Sequence, residues 1–199
     1  LRSALGIASG FASAAYGQRL ENERALPLRD GHQASLLEGA REYFPALLAA
    51  LGLARNEVLL ETYILDFTGS TLHVVEALML AARRGVRVQI LVDGVGTGHI
   101  APDWAARLLA AGMDLRVYAP LGTLGLLIPS RWRRLHRKLV VVDGALAFCG
   151  GINLLDDHHD PNHGALDSPR LDYAVRIAGP LVTDVHDAMT QLWRRVEAV

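Results

Sequence analysis

The sequence predicts an α/β fold with helices layered on a mixed β-sheet, and three observations predict it. Apolar runs of strand length at 58–65, 86–92 and 115–118 alternate with segments of helical period. Two further runs, 139–142 and 145–149, flank Asp143-Gly144, a dipeptide suited to a tight hairpin turn. A strand near 173–177 and a helix over about 181–195 complete the pattern. With 51% hydrophobic residues among 199, the chain can bury one substantial core.

Each element has a local reason. Residues 1–30 are Ala- and Gly-rich and weakly patterned, so the domain is expected to occupy 31–199. Leu36, Leu37, Ala40, Phe44, Leu47, Leu48 and Leu51 predict a helix over 33–54, with Pro45 starting or kinking a turn. After the strand at 58–65, Ser70 is expected to cap a helix carrying Leu72, Val75, Leu78 and Ala81, and Gly85 to stop it. The strand at 86–92, a helix at 103–111 and the strand at 115–118 continue the alternation. No internal repeat is visible.

Composition excludes some classes. A formal net charge of -1 argues against the whole chain binding a polyanion. Cys149 stands alone in an apolar strand, which predicts a buried thiol and no disulfide framework. No run approaches eighteen strongly apolar residues, so no spanning helix is expected within these residues.

Of the 20 Lys plus Arg residues only Lys138 is a lysine, and it lies two places after His136. As i and i+2 leading into a strand, both side chains are expected on one face. The hairpin return brings Gly150, Gly151 and Asn153 back toward His136. Glycines permit close approach by substrate or backbone, and Asn153 offers an amide donor. Together these groups suit an oxyanion with several oxygens, such as a phosphoryl group.

The spacing His136-x-Lys138-x4-Asp143-x6-Gly150-x2-Asn153 resembles the signature of the phospholipase D superfamily, and Gly-Gly-Ile-Asn resembles its bacterial cardiolipin synthase branch. The likeness extends to Glu57 through Ile64, to Arg83 through Val88 with Asp93-Gly94, and to Asp172 through Pro180. It implies an α-β-α layered domain around a mixed sheet and phosphatidyl transfer through a phosphohistidine at His136. Lys138 and Asn153 would hold the non-bridging oxygens, and no metal or other cofactor is implied. The implied substrate is a phospholipid such as phosphatidylglycerol, at the cytoplasmic side of a bacterial inner membrane, with the chain peripheral or anchored by regions outside it.

Roles differ within the set. Asp172 is the candidate acceptor that orients the His136 ring, and Asp143, in the turn, is the second candidate and a loop organiser. Arg134 and Arg137 are candidate substrate contacts. Arg131, Arg133, Arg134 and Arg137 follow Leu121, Leu124, Leu126, Leu127, Ile128 and Trp132, an apolar-to-basic passage suited to a membrane surface. Glu61 borders the site on a face that alternation does not choose. The 93–98 segment, Asp-Gly-Val-Gly-Thr-Gly, lacks nucleotide-fingerprint spacing and reads as a flexible loop at the ligand mouth. Asp156, Asp157, His158, His159, Asp160 and His163 could bind a metal by type, but Pro161, Asn162 and Gly164 favour a solvated loop.

The resembling mechanism uses two motifs, and this chain shows one. The partner motif is expected on a second phospholipase D-like domain of a longer chain or on a homodimer partner. Two alternatives stand beside phospholipid transfer: a phosphodiesterase or nuclease acting as a dimer, and an inactive membrane-associated half-domain. Nucleic acid ranks behind phospholipid as a partner.

Overall fold

The computed structural model describes residues 30–120, 132–160 and 164–198. Seven strands form one mixed sheet in the order β1-β9-β6-β5-β2-β3-β4. These are β1 (Gln33–Glu38), β2 (Glu57–Thr62), β3 (Arg87–Asp93), β4 (Asp114–Tyr118), β5 (Lys138–Val142), β6 (Leu146–Gly150) and β9 (Tyr173–Ala178). Two short strands, β7 (His159–Asp160) and β8 (Gly164–Ala165), pair separately.

The β2-β3 and β3-β4 pairs are parallel, and each is joined through a helix, α2 (Thr71–Arg83) and α3 (Pro102–Ala110). Every other neighbour in the large sheet is antiparallel. This is the mixed sheet that the alternating helix and strand signals imply.

Strand alternation divides the core between two faces. Val58, Leu60, Val140, Val142 and Phe148 pack toward α1 (Gly39–Leu53) and α2. Leu59, Val141, Ala147 and Ile177 meet Val182 and Met189 of α4 (Leu181–Glu197) on the opposite face. The helix-sheet-helix layering therefore follows from which parity of β2 and β5 is apolar, and here both parities are.

The sequence reading needs two corrections in the first layer. Residues 33–38 form β1, paired with β9, so the helix begins only at Gly39. A helix-period pattern and an edge strand both accommodate Leu36 and Leu37, and the free edge of β9 decides. Pro45 lies inside α1 without ending it. Ser70 precedes α2 but makes no side-chain cap; its N–H and hydroxyl both bond Asp156 Oδ2 at 2.9 Å.

That bond explains the acidic segment after the motif. Asp156 serves the start of α2, while the adjacent Asp157 accepts the Ala40 N–H at 2.7 Å and so serves the start of α1. Gly39 and Gly69 hold positive φ (63° and 56°) against these same carboxylates, and a Cβ on Gly69 would lie 2.4 Å from Asp156 Oδ2. Two helix N-termini, each with unpaired donors, are capped from a distant loop. Backbone N–H donors from Ser70 and His158 hold the Asp156 carboxyl below the usual carboxylate range. His158 and His159 are exposed, and His163 lies outside the described residues.

The β5-β6 hairpin turns through Asp143 and Gly144, both at positive φ (52° and 61°), with the Ala145 N–H bonded to the Val142 carbonyl at 3.0 Å. Asp143 accepts N–H bonds from Arg55, Asn56 and Glu57 at 2.7–2.9 Å, locking the hairpin to the start of β2. Burial works to raise the Asp143 carboxyl, but these three donors outweigh it and hold it below the ordinary value. Cys149 is half-buried rather than enclosed, and burial pushes its thiol up.

Replacing Asp143 with Ala removes three acceptor contacts and places a Cβ-bearing residue without a local hydrogen bond in left-handed backbone. A loss of about 2–4 kcal/mol is expected. Asn tolerates that backbone and keeps one acceptor, so Asp143→Asn is expected to cost roughly half as much. The depressed carboxyl adds stability above the unfolded carboxylate pKa and loses it as pH falls through the folded value. Urea unfolding of both variants at pH 7 and pH 4 checks the order and the acid convergence with wild type.

Candidate active site at the start of the hairpin

Lys138 opens β5, with Gly150 as its register partner on β6. The lysine is buried, at 7% exposure, and its Nζ lies 3.1 Å from His136 Nε2 and 3.1 Å from the His136 carbonyl. An ammonium has donors only, so when Lys138 is charged Nε2 is the acceptor of this contact. Burial holds the lysine below its usual pKa, opposed by the charge of Asp172. Imidazole and ammonium lie together, as the two-residue spacing predicts.

Tyr63 was absent from the sequence-based set. Its ring centroid is 5.1 Å from that of His136, and Lys138 Nζ lies 5.6 Å from the tyrosine ring centroid. An aromatic face beside a cation stabilises the charge without competing for phosphate oxygens. The available signal was parity: Tyr63 lies just past β2, the strand beside β5.

Asn153 is brought in by backbone. Leu154 N–H bonds the Ile64 carbonyl at 3.2 Å, and Asp66 N–H bonds the Leu154 carbonyl at 2.8 Å. Asn153 Oδ1 accepts the Ile64 N–H at 3.1 Å, with Thr62 Oγ1 at 3.5 Å. A backbone donor fixes which end of the amide is the oxygen, so Nδ2 is directed away as a free-facing donor.

Other candidates have different work. Asp172 Oδ1 accepts the Tyr173 N–H at 2.8 Å, its carbonyl accepts the Gly39 N–H at 2.9 Å, and the described residues contain no Asp172–His136 hydrogen bond. Its link to the site is electrostatic, through Lys138. Asp143 closes the far end of the hairpin, five residues along the chain from Lys138 and so roughly 16 Å away, which removes it from the reacting groups. A Cβ on Gly150 would stand 2.4 Å from the Tyr173 carbonyl, and one on Gly151 2.0 Å from Asp172 Oδ1. The packing of β9 and Asp172 by itself requires glycine at both positions.

Arg134 and Arg137 are each backed by a buried carboxylate. Asp93 is fully buried and accepts N–H bonds from Val95 (2.8 Å), Gly96 (3.1 Å) and Leu135 (2.7 Å), with Arg134 Nη1 at 3.3 Å. The 93–98 segment is therefore pinned, not a loose mouth loop. Gly96 packs so closely that a Cβ would sit 2.4 Å from the Tyr63 carbonyl, and Thr97 Oγ1 bonds that carbonyl at 3.1 Å.

Glu61 faces α4. Arg137 Nη2 lies 2.8 Å from Oε1 and 2.7 Å from Oε2, but only Oε1 is aligned for a hydrogen bond. Burial pushes the Glu61 carboxyl from 4.5 up to about 7, against the opposing charge and hydrogen bond of Arg137. The leucine-rich stretch over 121–131, with Arg131, lies outside the described residues; Trp132, just after it, is 60% exposed.

Two outcomes follow. Asp93→Asn turns one acceptor into a donor facing N–H or guanidinium donors and is expected to cost about 3 kcal/mol in urea unfolding. For Glu61, the folded carboxyl holds its proton above the pH at which the unfolded one releases it. Stability should fall by on the order of 3 kcal/mol as pH rises from about 4.5 to about 7, then level off. Glu61→Gln should flatten that slope in thermal unfolding from pH 5 to pH 8; an unchanged slope would assign it elsewhere.

Comparison with known proteins gives a consistent result. Residues 47–167 match the family model described as cardiolipin synthase, PLD-like domain. Cardiolipin synthase B of Escherichia coli (strain K12) is 37% identical over 179 residues, covering 84% of this chain and 42% of that protein. Cardiolipin synthase B of Salmonella typhi is 40% identical over 159 residues, covering 79% of this chain and 37% of that protein. The chain thus spans less than half the length of these relatives.

Among solved structures, Nuc of Salmonella typhimurium, a phospholipase D family member, aligns with a TM-score of 0.58 at 18% identity, covering 82% of this chain and 95% of that one. NucT of Helicobacter pylori aligns with a TM-score of 0.57 at 14% identity, covering 84% and 97%. These two likenesses concern the fold. With the family model spanning more than half of its residues, the chain belongs to the phospholipase D superfamily, in its cardiolipin-synthase-like branch.

Proposed function

We propose that this chain forms one catalytic half of a phospholipid phosphatidyltransferase resembling cardiolipin synthase, with His136 as the nucleophile. The observation that carries the reading is the 3.1 Å contact between Lys138 Nζ and His136 Nε2. It holds a cation beside the imidazole, where phosphate oxygens would arrive.

In the first half-reaction, His136 Nε2 attacks phosphorus and the N–P bond forms. The P–O bond to the leaving alcohol breaks, its oxygen keeps the electron pair, and an acid on the partner motif protonates it. In the second, the acceptor hydroxyl oxygen attacks phosphorus and the N–P pair returns to imidazole. The hydroxyl proton goes to the same partner group, now a base. Lys138 and the Asn153 amide hold the non-bridging oxygens through both steps, and the Asp172 charge favours the ammonium of Lys138 against burial.

The partner motif belongs to a second phospholipase D-like domain or a second copy, and the substrate is a phospholipid such as phosphatidylglycerol. Exposed Trp132 beside Arg133 suits peripheral docking on the cytoplasmic face of a bacterial inner membrane. No helix among the described residues is long and apolar enough to cross a membrane. The second reading, a dimeric phosphodiesterase or nuclease, draws on the size of Nuc and NucT, whose chains are covered almost whole by this one domain.

Quenching in denaturant at alkaline pH, where an N–P bond survives, after reaction with 32P-labelled phosphatidylglycerol checks the reading. Wild-type protein, with its partner domain where one exists, should retain label at His136. His136→Ala should lose it and at least about 10³-fold of turnover. Lys138→Ala should lose about 10²–10³-fold. Nicked DNA without lipid product would favour the second reading and sink the first.

A further inference from the structure

A cavity of about 320 Å³ opens on the α4 side of His136. His136, Arg134, Arg137, Gln191, Arg195 and Tyr118 line it, and no carboxylate does among the described residues. Asp93 and Glu61 contact Arg134 and Arg137 from protein interior, at 0% and 3% exposure. A guanidinium has five donors in a rigid fork, and Arg137 hydrogen-bonds Glu61 through Nη2, so its remaining donors can face the cavity. Arg195, exposed near the end of α4, adds a cation for which the described residues provide no ion pair.

The position is informative because His136 has two sides. Lys138 shares its strand face with Val140 and Val142, toward α1 and α2, whereas Arg137 has the opposite parity and pairs with Glu61 toward α4. The phosphoryl clamp and the arginine cavity thus flank one imidazole from different faces of the sheet. The volume lies at the lower end of small-ligand sites, which suits a glycerophosphate headgroup.

We propose that this cavity is a second anion site, in which Arg195 and Arg137 bind the phosphate of the acceptor lipid beside His136. The proposal rests on the transferase reading above. A hydrolase using water as acceptor has no need of such a site.

Isothermal titration calorimetry of the purified chain with inorganic phosphate, and separately with glycerophosphoglycerol, tests it. Wild type should show two phosphate sites. Arg195→Glu should weaken one by about tenfold or more, Arg195→Lys should largely restore it, and Lys138→Ala should remove the other. Circular dichroism checks folding, and Arg195→Ala serves as a second variant on this exposed helix position. Glycerophosphoglycerol occupying the Arg195-dependent site supports the lipid acceptor, whereas a site taking only inorganic phosphate overturns that assignment. Two unchanged sites in Arg195→Glu, or one site lost entirely with Lys138, overturns the proposal as a whole. Binding needs no covalent step, so absent label at His136 with intact Arg195-dependent binding sinks the transferase reading alone.

Discussion

The buried carboxylate of Asp93 ties the end of β3 to the segment that delivers His136. One oxygen collects the Val95 and Gly96 N–H groups and faces Arg134; the other takes the Leu135 N–H, next to the histidine. A charge with no exposure is tolerated only when donors surround it, and here all of them come from chain segments that must meet. Through Gly96 and Thr97 the same junction presses on Tyr63, whose ring lies tilted at 55° beside the His136 ring. The segment that carries His136 and the Tyr63 ring beside it are therefore referred to one anchor.

The same device recurs around the site with different partners. Asp143 gathers three N–H groups at the start of β2, Asp157 caps α1, and Asp156 caps α2. Each uses backbone donors left over where a strand or helix begins. The acidic residues near the motif are consequently consumed by architecture, and Lys138 keeps a positive environment whose main electrostatic opponent is Asp172.

Glu61 departs from this pattern. Its carboxyl is satisfied through one oxygen by Arg137 and is otherwise enclosed by α4, so burial outweighs pairing. The cost is accepted at the position that holds Arg137 against the wall of the arginine cavity. A polar residue sealed in an apolar layer without full satisfaction is a frequent mark of a functional neighbourhood.

Much of this was legible in the chain. Apolar runs separated by Gly85 and by Asp143-Gly144 specify strands, a helix stop and a hairpin because those signals are local: period, backbone freedom and turn chemistry. His136 and Lys138 on one side of a strand followed from the two-residue repeat, and the motif spacing was enough to identify the superfamily. What the sequence could not decide was every partner distant along it. Residues 33–38 become a strand only because the edge of β9 is open to them, and Ser70 forgoes its local cap because Asp156 arrives from 86 residues away. Gly150 and Gly151 serve β9 and Asp172, and Tyr63 joins the site through strand adjacency. Local conformation is set by neighbouring residues and can be read from them; the pairing of donors, charges and rings across the fold depends on contacts that exist only once the sheet has assembled.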